Sequence, residues 1–178
     1  IKKNKNISLS VSFTTRPKRK HEFNGRDYYF VDKTTFSKKK NKKHFIETAK
    51  VFDHYYGSPL VNINNSFKRN KHILFDIDWQ GAKKLRKKFH KSQIIDFFIL
   101  PPNKKELRNR LIKRGRDNKN EIKKRLALAV SEMKHFTDYK YVLINDSISK
   151  TVDNLIKIIN SNLLIDKLDK KVKNYKIY

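Results

Sequence analysis

A chain of 178 residues has room for one or two small domains. It carries 44 Lys+Arg against 17 Asp+Glu, a formal net charge of +27, and no cysteine. The lack of cysteine excludes a disulfide framework, a zinc–thiolate site and a cysteine nucleophile, and neither a signal peptide nor an apolar run near the ~18–20 residues of a membrane span is visible.

Along the chain, Ile7–Phe13 alternates apolar and polar residues and runs into Thr14-Thr15-Arg16-Pro17, which predicts a strand ending in a loop. Asn24-Gly25 signals a turn, followed by a strand at Tyr28–Val31. Phe45–Val51 reads as a further strand, and residues 60–70 read as a weakly patterned helix. His72–Ile77 is a short apolar run carrying Asp76 and Asp78 at its end, a buried strand by pattern. A short basic helix follows over Gly81–Phe89, then a second apolar strand over Ile94–Leu100, stopped by Pro101-Pro102. Asn103 is placed to cap a helix from Lys104 to Arg114. Glu121–Phe136 predicts a longer helix, Tyr141–Ile144 a third buried strand and Thr151–Leu164 a closing helix, with a charged tail from Asp166. Strands alternating with helices argue for an α/β fold with a parallel sheet, interrupted over residues 14–70 by short strands and turns that read as an inserted lobe.

The positive charge has two readings. A basic surface releases counterions from nucleic-acid phosphates. Alternatively the 34 Lys, together with abundant Asn and Ile, reflect A/T-rich codons, and a run such as Lys38-Lys39-Lys40 is a solvated face or loop. The second is preferred, because the arginines are distributed differently from the lysines. Of ten arginines, eight fall within residues 16–26 and 108–125. Guanidinium groups grip phosphate oxygens in pairs where lysine cannot. Two phosphate-binding surfaces are therefore expected, one around Arg16 and Arg19 and one around Arg110, Arg114 and Arg125.

Other residues carry chemistry of their own. Asp76 and Asp78, two apart on a strand, share a face at the strand end where open α/β sheets bind ligands; they suit Mg²⁺ or the hydrogen bonds of a base. Ser12, Tyr28, Tyr56 and Ser58 offer hydroxyl donors close to the arginine loop. Glu47 is an acid in an apolar strand, which needs partners such as two ligand N–H donors. The four glycines form neither a G-x-x-x-x-G-K-[ST] nor a G-x-G-x-x-G pattern, and the six histidines show no metal-ligand spacing.

Taken in order, Ser10–Arg19, Asn24–Tyr28, Phe45–Glu47, Tyr55–Ser58, Asp76–Gly81, Leu100–Pro102, Arg110–Gly115 and Ile144–Asp146 resemble the guanylate kinases, over a span from about Leu9 to Leu164. The resemblance implies a P-loop-kinase-like parallel core sheet flanked by helices, an inserted mixed β GMP-binding lobe and a helical lid. Its expected boundaries are core at 1–13, 71–102 and 137–178, the last including the tail; GMP lobe at 14–70; lid at 103–136. It implies that Arg16, Arg19, Tyr28 and Tyr56, with Ser12 nearby, hold the GMP phosphate. Glu47, Ser58 and Asp78 would read guanine, Asp76 would sit near the metal and phosphates, and Arg110, Arg114 and Arg125 would close on ATP. The implied reaction is ATP + GMP to ADP + GDP with Mg²⁺ in the cytoplasm, with Arg16, Arg110, Arg114, Arg125 and Asp76 as the catalytic set. ATP and GMP are the expected partners; no membrane or nucleic acid is expected, and an oligomer is left open. The phosphate-cradling loop that the family carries would precede Ile1 in the parent protein. The alternatives weighed against this reading are a catalytically inactive guanylate-kinase-like binding domain and a basic RNA-binding protein.

Overall fold

The computed structural model describes residues 4–113 and 119–173. The chain divides into two compact units, Ile1–Lys91 and Ser92–Tyr178.

In the first unit, β1 (Ile7–Leu9) pairs in parallel with β6 (His72–Leu74), register Ile7↔His72 to Leu9↔Leu74. Between them the chain builds a second sheet from β2 (Phe13–Thr14), β3 (Tyr29–Phe30), β4 (Phe45–Val51) and β5 (His54–Pro59), ordered β3-β2-β5-β4. Three helices belong to this unit: α1 (Lys33–Asn41), α2 (Leu60–Lys68) and α3 (Trp79–Arg86). The strand expected over Ile7–Phe13 is thus two strands in two sheets. Its first part supports the parallel pair, and Phe13 pairs with Tyr29 and Gly57 in the other sheet. The strand expected over His72–Ile77 stops at Leu74, so Asp76 and Asp78 stand on the loop beyond it.

Two apolar clusters hold this unit. Ile46, Ile63 and Leu85 are buried together, with Ile73, Phe75, Ile77 and Phe89 packed on them. Aromatic rings fill the second: Phe36 stacks on Phe45 at 4.8 Å and on Tyr55 at 5.6 Å, and Phe13 stacks on Tyr29 at 4.6 Å. Such pairs add to simple area burial. Phe36 is 2% exposed and anchors α1, whose start is capped by Asp32 accepting from Thr35 N at 2.7 Å. The lysine run 38–40 occupies the last turn of this helix, where positive charge suits the helix dipole.

In the second unit, β7 (Phe97–Leu100) pairs in parallel with β8 (Tyr141–Ile144). The crossover runs through α4 (Lys104–Lys113) and α5 (Lys119–Met133), and α6 (Ile148–Lys173) closes the unit. Asn103 Oδ1 accepts from Glu106 N at 2.8 Å, the expected cap. The last helix runs past Leu164 to Lys173, through part of the segment expected to be a loosely patterned tail. The parallel core is present as two strand pairs, one in each unit, with helices in both crossovers. Among the described residues no helix is long and apolar enough to cross a membrane.

Candidate active site

The first unit contains a cleft of about 280 Å³ lined by Ser12, Tyr28, Glu47, Ala49, Val51, Tyr56, Asp76, Ile77 and Asp78. This lies near the lower end of the range for small-ligand pockets. Its walls come from β2's approach, β4, β5 and the loop between β6 and α3.

Glu47 is 4% exposed. Its Oε1 accepts from Ser58 N at 3.1 Å and from Ser58 Oγ at 2.6 Å, and Ser58 Oγ lies 3.3 Å from Ser12 Oγ. Burial pushes the Glu47 carboxyl above its ordinary range; the Ser58 bonds and Lys84 pull the other way, while the nearby Asp78 charge adds to the rise. The carboxyl is therefore held in place through Oε1 and is costly to ionise in its buried position.

Asp78 serves as N-cap of α3, its Oδ1 accepting from Gly81 N at 2.9 Å and its Oδ2 from Gln80 Nε2 at 2.9 Å. Gly81 matters for space: a Cβ there would meet Glu47 Oε2 at 2.8 Å and Ile77 Cβ at 3.2 Å. The absence of a side chain lets the start of α3 approach Glu47, which brings two carboxylates to one wall.

The arginine loop is tied together by an acid. Arg16 NH2 bonds Glu22 Oε1 at 2.7 Å, Arg19 N donates to Glu22 Oε2 at 2.8 Å, and Arg19 NH1 lies 3.7 Å from Glu22 Oε1. The Arg16 side chain is only 12% exposed and its guanidinium sits 5.5 Å from the Tyr28 ring centre, a cation–π distance. Burial works against the Arg16 charge, but the bond to Glu22 outweighs it and the guanidinium is held still more firmly protonated. Burial likewise raises Glu22, and Arg16 with the Arg19 N–H turns that into a net lowering. Tyr28, which packs edge-on to Tyr56 at 6.0 Å, is raised by burial and then by the charge of Asp76.

Ser12, Tyr28, Glu47, Tyr56, Asp76 and Asp78 thus line one cleft, Arg16 and Ser58 contact its lining residues, and Arg19 is joined to Arg16 through Glu22. Glu22 and Gln80 were not anticipated. The signal for Glu22 was present: it is an acid three residues after Arg19 and six after Arg16, in a chain with few acids. Glu22→Gln is expected to weaken binding of a phosphate ester at this loop about 5–10-fold, in line with one charge-assisted hydrogen bond, while leaving the thermal midpoint within a few degrees; calorimetric titration with nucleoside monophosphates is the check.

In the second unit, Arg110 Nε bonds Glu106 Oε1 at 2.8 Å and its NH2 bonds the Asn145 carbonyl at 2.8 Å, so this arginine is pre-oriented between α4 and the end of β8. Arg125 is half-buried on α5. Arg114 lies outside the described residues.

Comparison with known proteins identifies the family. The guanylate kinase family model matches residues 1–162. A guanylate kinase of Buchnera aphidicola subsp. Baizongia pistaciae is 48% identical over 86% of this chain and 73% of its own length. One of Haemophilus ducreyi is 42% identical, over 89% of this chain and 76% of its own. Among solved structures, guanylate kinase from Anaplasma phagocytophilum superposes with a TM-score of 0.76 at 36% identity, over 88% of this chain and 76% of that one. With a family model that spans most of the sequence and relatives at this level of identity, the chain belongs to the guanylate kinase family.

Proposed function

We infer that the protein transfers the γ-phosphoryl group of ATP to GMP, giving ADP and GDP, and that the cleft in the first unit is its GMP site. The observation that carries this reading is the pairing of Glu47 with Asp78 on one wall, with Arg16 beside Tyr28 and Tyr56 on the same cleft. Guanine presents N–H donors at N1 and at the 2-amino group, where adenine has a bare ring nitrogen and a C–H, and carboxylates only accept. A buried Glu47 whose second oxygen faces the α3 start is paired when guanine arrives and unpaired when adenine does, which is how a polar site rejects an analogue.

On this reading Arg16 and Arg19, with Ser12, Tyr28 and Tyr56, hold the GMP phosphate, and residues 14–70 form the GMP lobe. Arg110, Arg114 and Arg125 belong to a lid over 103–136 and neutralise the phosphates of ATP. Phosphoryl transfer asks a protein for positioning and charge neutralisation more than for covalent chemistry. Orienting bonds such as those of Arg110 to Glu106 and Asn145 support that role, because they fix the guanidinium before the nucleotide binds.

Mg²⁺ is the metal this chemistry uses; bound to ATP, it neutralises phosphate charge. The described residues contain no group of three or more His, Cys, Asp or Glu able to cage a metal. Asp78 is engaged by α3, so the exposed Asp76 is the carboxylate that fits outer contact with such an ion.

Glu47→Gln tests the reading. GMP affinity is expected to fall about 10–100-fold and the preference for GMP over AMP to shrink, since an amide nitrogen would face the guanine donors. The pH dependence has a defined sign. Burial, reinforced by Asp78, raises the Glu47 pKa in the free protein, so below it the acid is protonated and must lose a proton to accept from guanine. GMP binding by the unsubstituted protein therefore releases protons and weakens as pH falls through that raised value, while the Gln variant loses this dependence. By linkage, Glu47 lends stability to the free fold at low pH that is lost as pH rises through the raised pKa. Unchanged GMP/AMP discrimination in the Gln variant would remove Glu47 from base reading.

A further inference from the structure

β4 is the edge strand of its sheet, and an edge leaves a row of backbone carbonyls without strand partners. Here that row is met from α3 and from the turn that follows it. Gln80 Nε2 donates to the Lys50 carbonyl at 3.1 Å, Lys84 Nζ to the Thr48 carbonyl, and Lys88 Nζ to the Ile46 carbonyl at 2.5 Å. The donors are spaced by four along the helical segment and the acceptors by two along the strand, in opposite directions. The periods match: four helical residues advance about 6 Å and two strand residues about 6.6 Å. Three rungs therefore engage at once, the Ile46 rung lying where β4 shifts register between Phe45 and Glu47.

The ladder is placed where it bears on the cleft. Ile46 and Thr48 flank Glu47, so Lys88 and Lys84 pin the backbone on both sides of the acid. Gln80 bonds both the Lys50 carbonyl and Asp78 Oδ2, joining the second carboxylate to the same strand. We propose that Gln80, Lys84 and Lys88 are positioning residues that fix the gap between Glu47 and Asp78, and hence the selectivity for guanine. This rests on the assignment of the cleft as the GMP site. Lysine suits the task because its stem lies along apolar surface and its ammonium has three donors. Two of the chain's 34 lysines thereby acquire a specific role that composition alone conceals.

The test is a Lys84→Met/Lys88→Met double variant of the full chain, which keeps the stems and removes the donors, with Lys84→Arg as the conservative control. Titration with GMP and AMP and a thermal melt are run on each. The double variant is expected to bind GMP about tenfold more weakly, with weak AMP binding unaltered and therefore reduced selectivity, and Lys84→Arg to retain most of the affinity. Gln80→Met, a single change at the start of the helix, is expected to lose about threefold and covers the case in which the double variant does not fold. A lower melting temperature with unchanged GMP affinity and selectivity would overturn the proposal and leave the lysines as mere cover for the strand edge. Unsubstituted protein that binds no GMP would instead overturn the assignment of the cleft, and the ladder's role with it.

Discussion

Arg16→Ala is expected to weaken GMP binding by about 100-fold or more, with little change in the affinity for ATP. Two effects add. The guanidinium offers a planar fork for two phosphate oxygens, and charge-assisted hydrogen bonds of that kind are worth about 1.5–3 kcal/mol each. Its removal also strands Glu22, which bonds Arg16 at 2.7 Å and is left with Arg19 as its remaining arginine. An unneutralised carboxylate beside the phosphate repels it. Arg16→Lys should recover only part of the loss, because a point charge cannot form the fork. Glu22→Gln combined with Arg16→Ala distinguishes the two contributions: relief of the stranded charge would make the double variant bind GMP better than Arg16→Ala alone. Titration with each nucleotide measures all three; equal losses for GMP and ATP would contradict the placement of Arg16.

Gly81→Ala is expected to cost at least about 30-fold in GMP affinity and several degrees of thermal stability. Helix propensity alone predicts the reverse, since Ala in place of a helical Gly gains up to ~1 kcal/mol. Sterics decide. The new Cβ would stand 2.8 Å from Glu47 Oε2 and 3.2 Å from Ile77 Cβ. Glu47 cannot swing away cheaply, because its Oε1 is fixed by both donors of Ser58. Overpacking a tight site costs about 1–3 kcal/mol, and here the displaced group is the one proposed to meet the base. A variant as stable as the parent with full GMP affinity would show that α3 can shift outward freely. The same result would weaken the case for the ladder that holds it.

What could be read from the sequence depended on how strongly a segment's pattern departs from that of its neighbours. Phe45–Val51 and Tyr141–Ile144 are found where expected, because β-branched and aromatic residues predominate in them between polar breaks. α1 was not anticipated. Its Lys33-Thr34-Thr35-Phe36-Ser37-Lys38-Lys39-Lys40-Asn41 offers one apolar anchor, Phe36, and no stripe, so only its Asp32 cap marks it. β5 was concealed for a different reason: Gly57 and Pro59 punctuate it like a turn, yet it pairs on both sides, with β2 and with β4. At the cleft, residue types announced themselves and their supports did not. An acid among apolar residues pointed to Glu47, but its tie to Ser58 needs two strands in register, and the approach of Gly81 needs α3 packed on β4. Glu22 and Gln80 were missed because their importance lies in whom they hold. The lysines of α3 were missed because 34 of them blur any single one.

The parallel pair β1–β6 joins Ile7 to His72, residues 65 positions apart, with an entire four-stranded sheet strung between them. Closing so long a loop of unstructured chain costs conformational entropy before any contact repays it. If that intervening sheet condenses first, its own ends draw the two short strands toward each other and the effective loop shrinks. In that order of assembly the four-stranded sheet is the scaffold on which the parallel pair is completed.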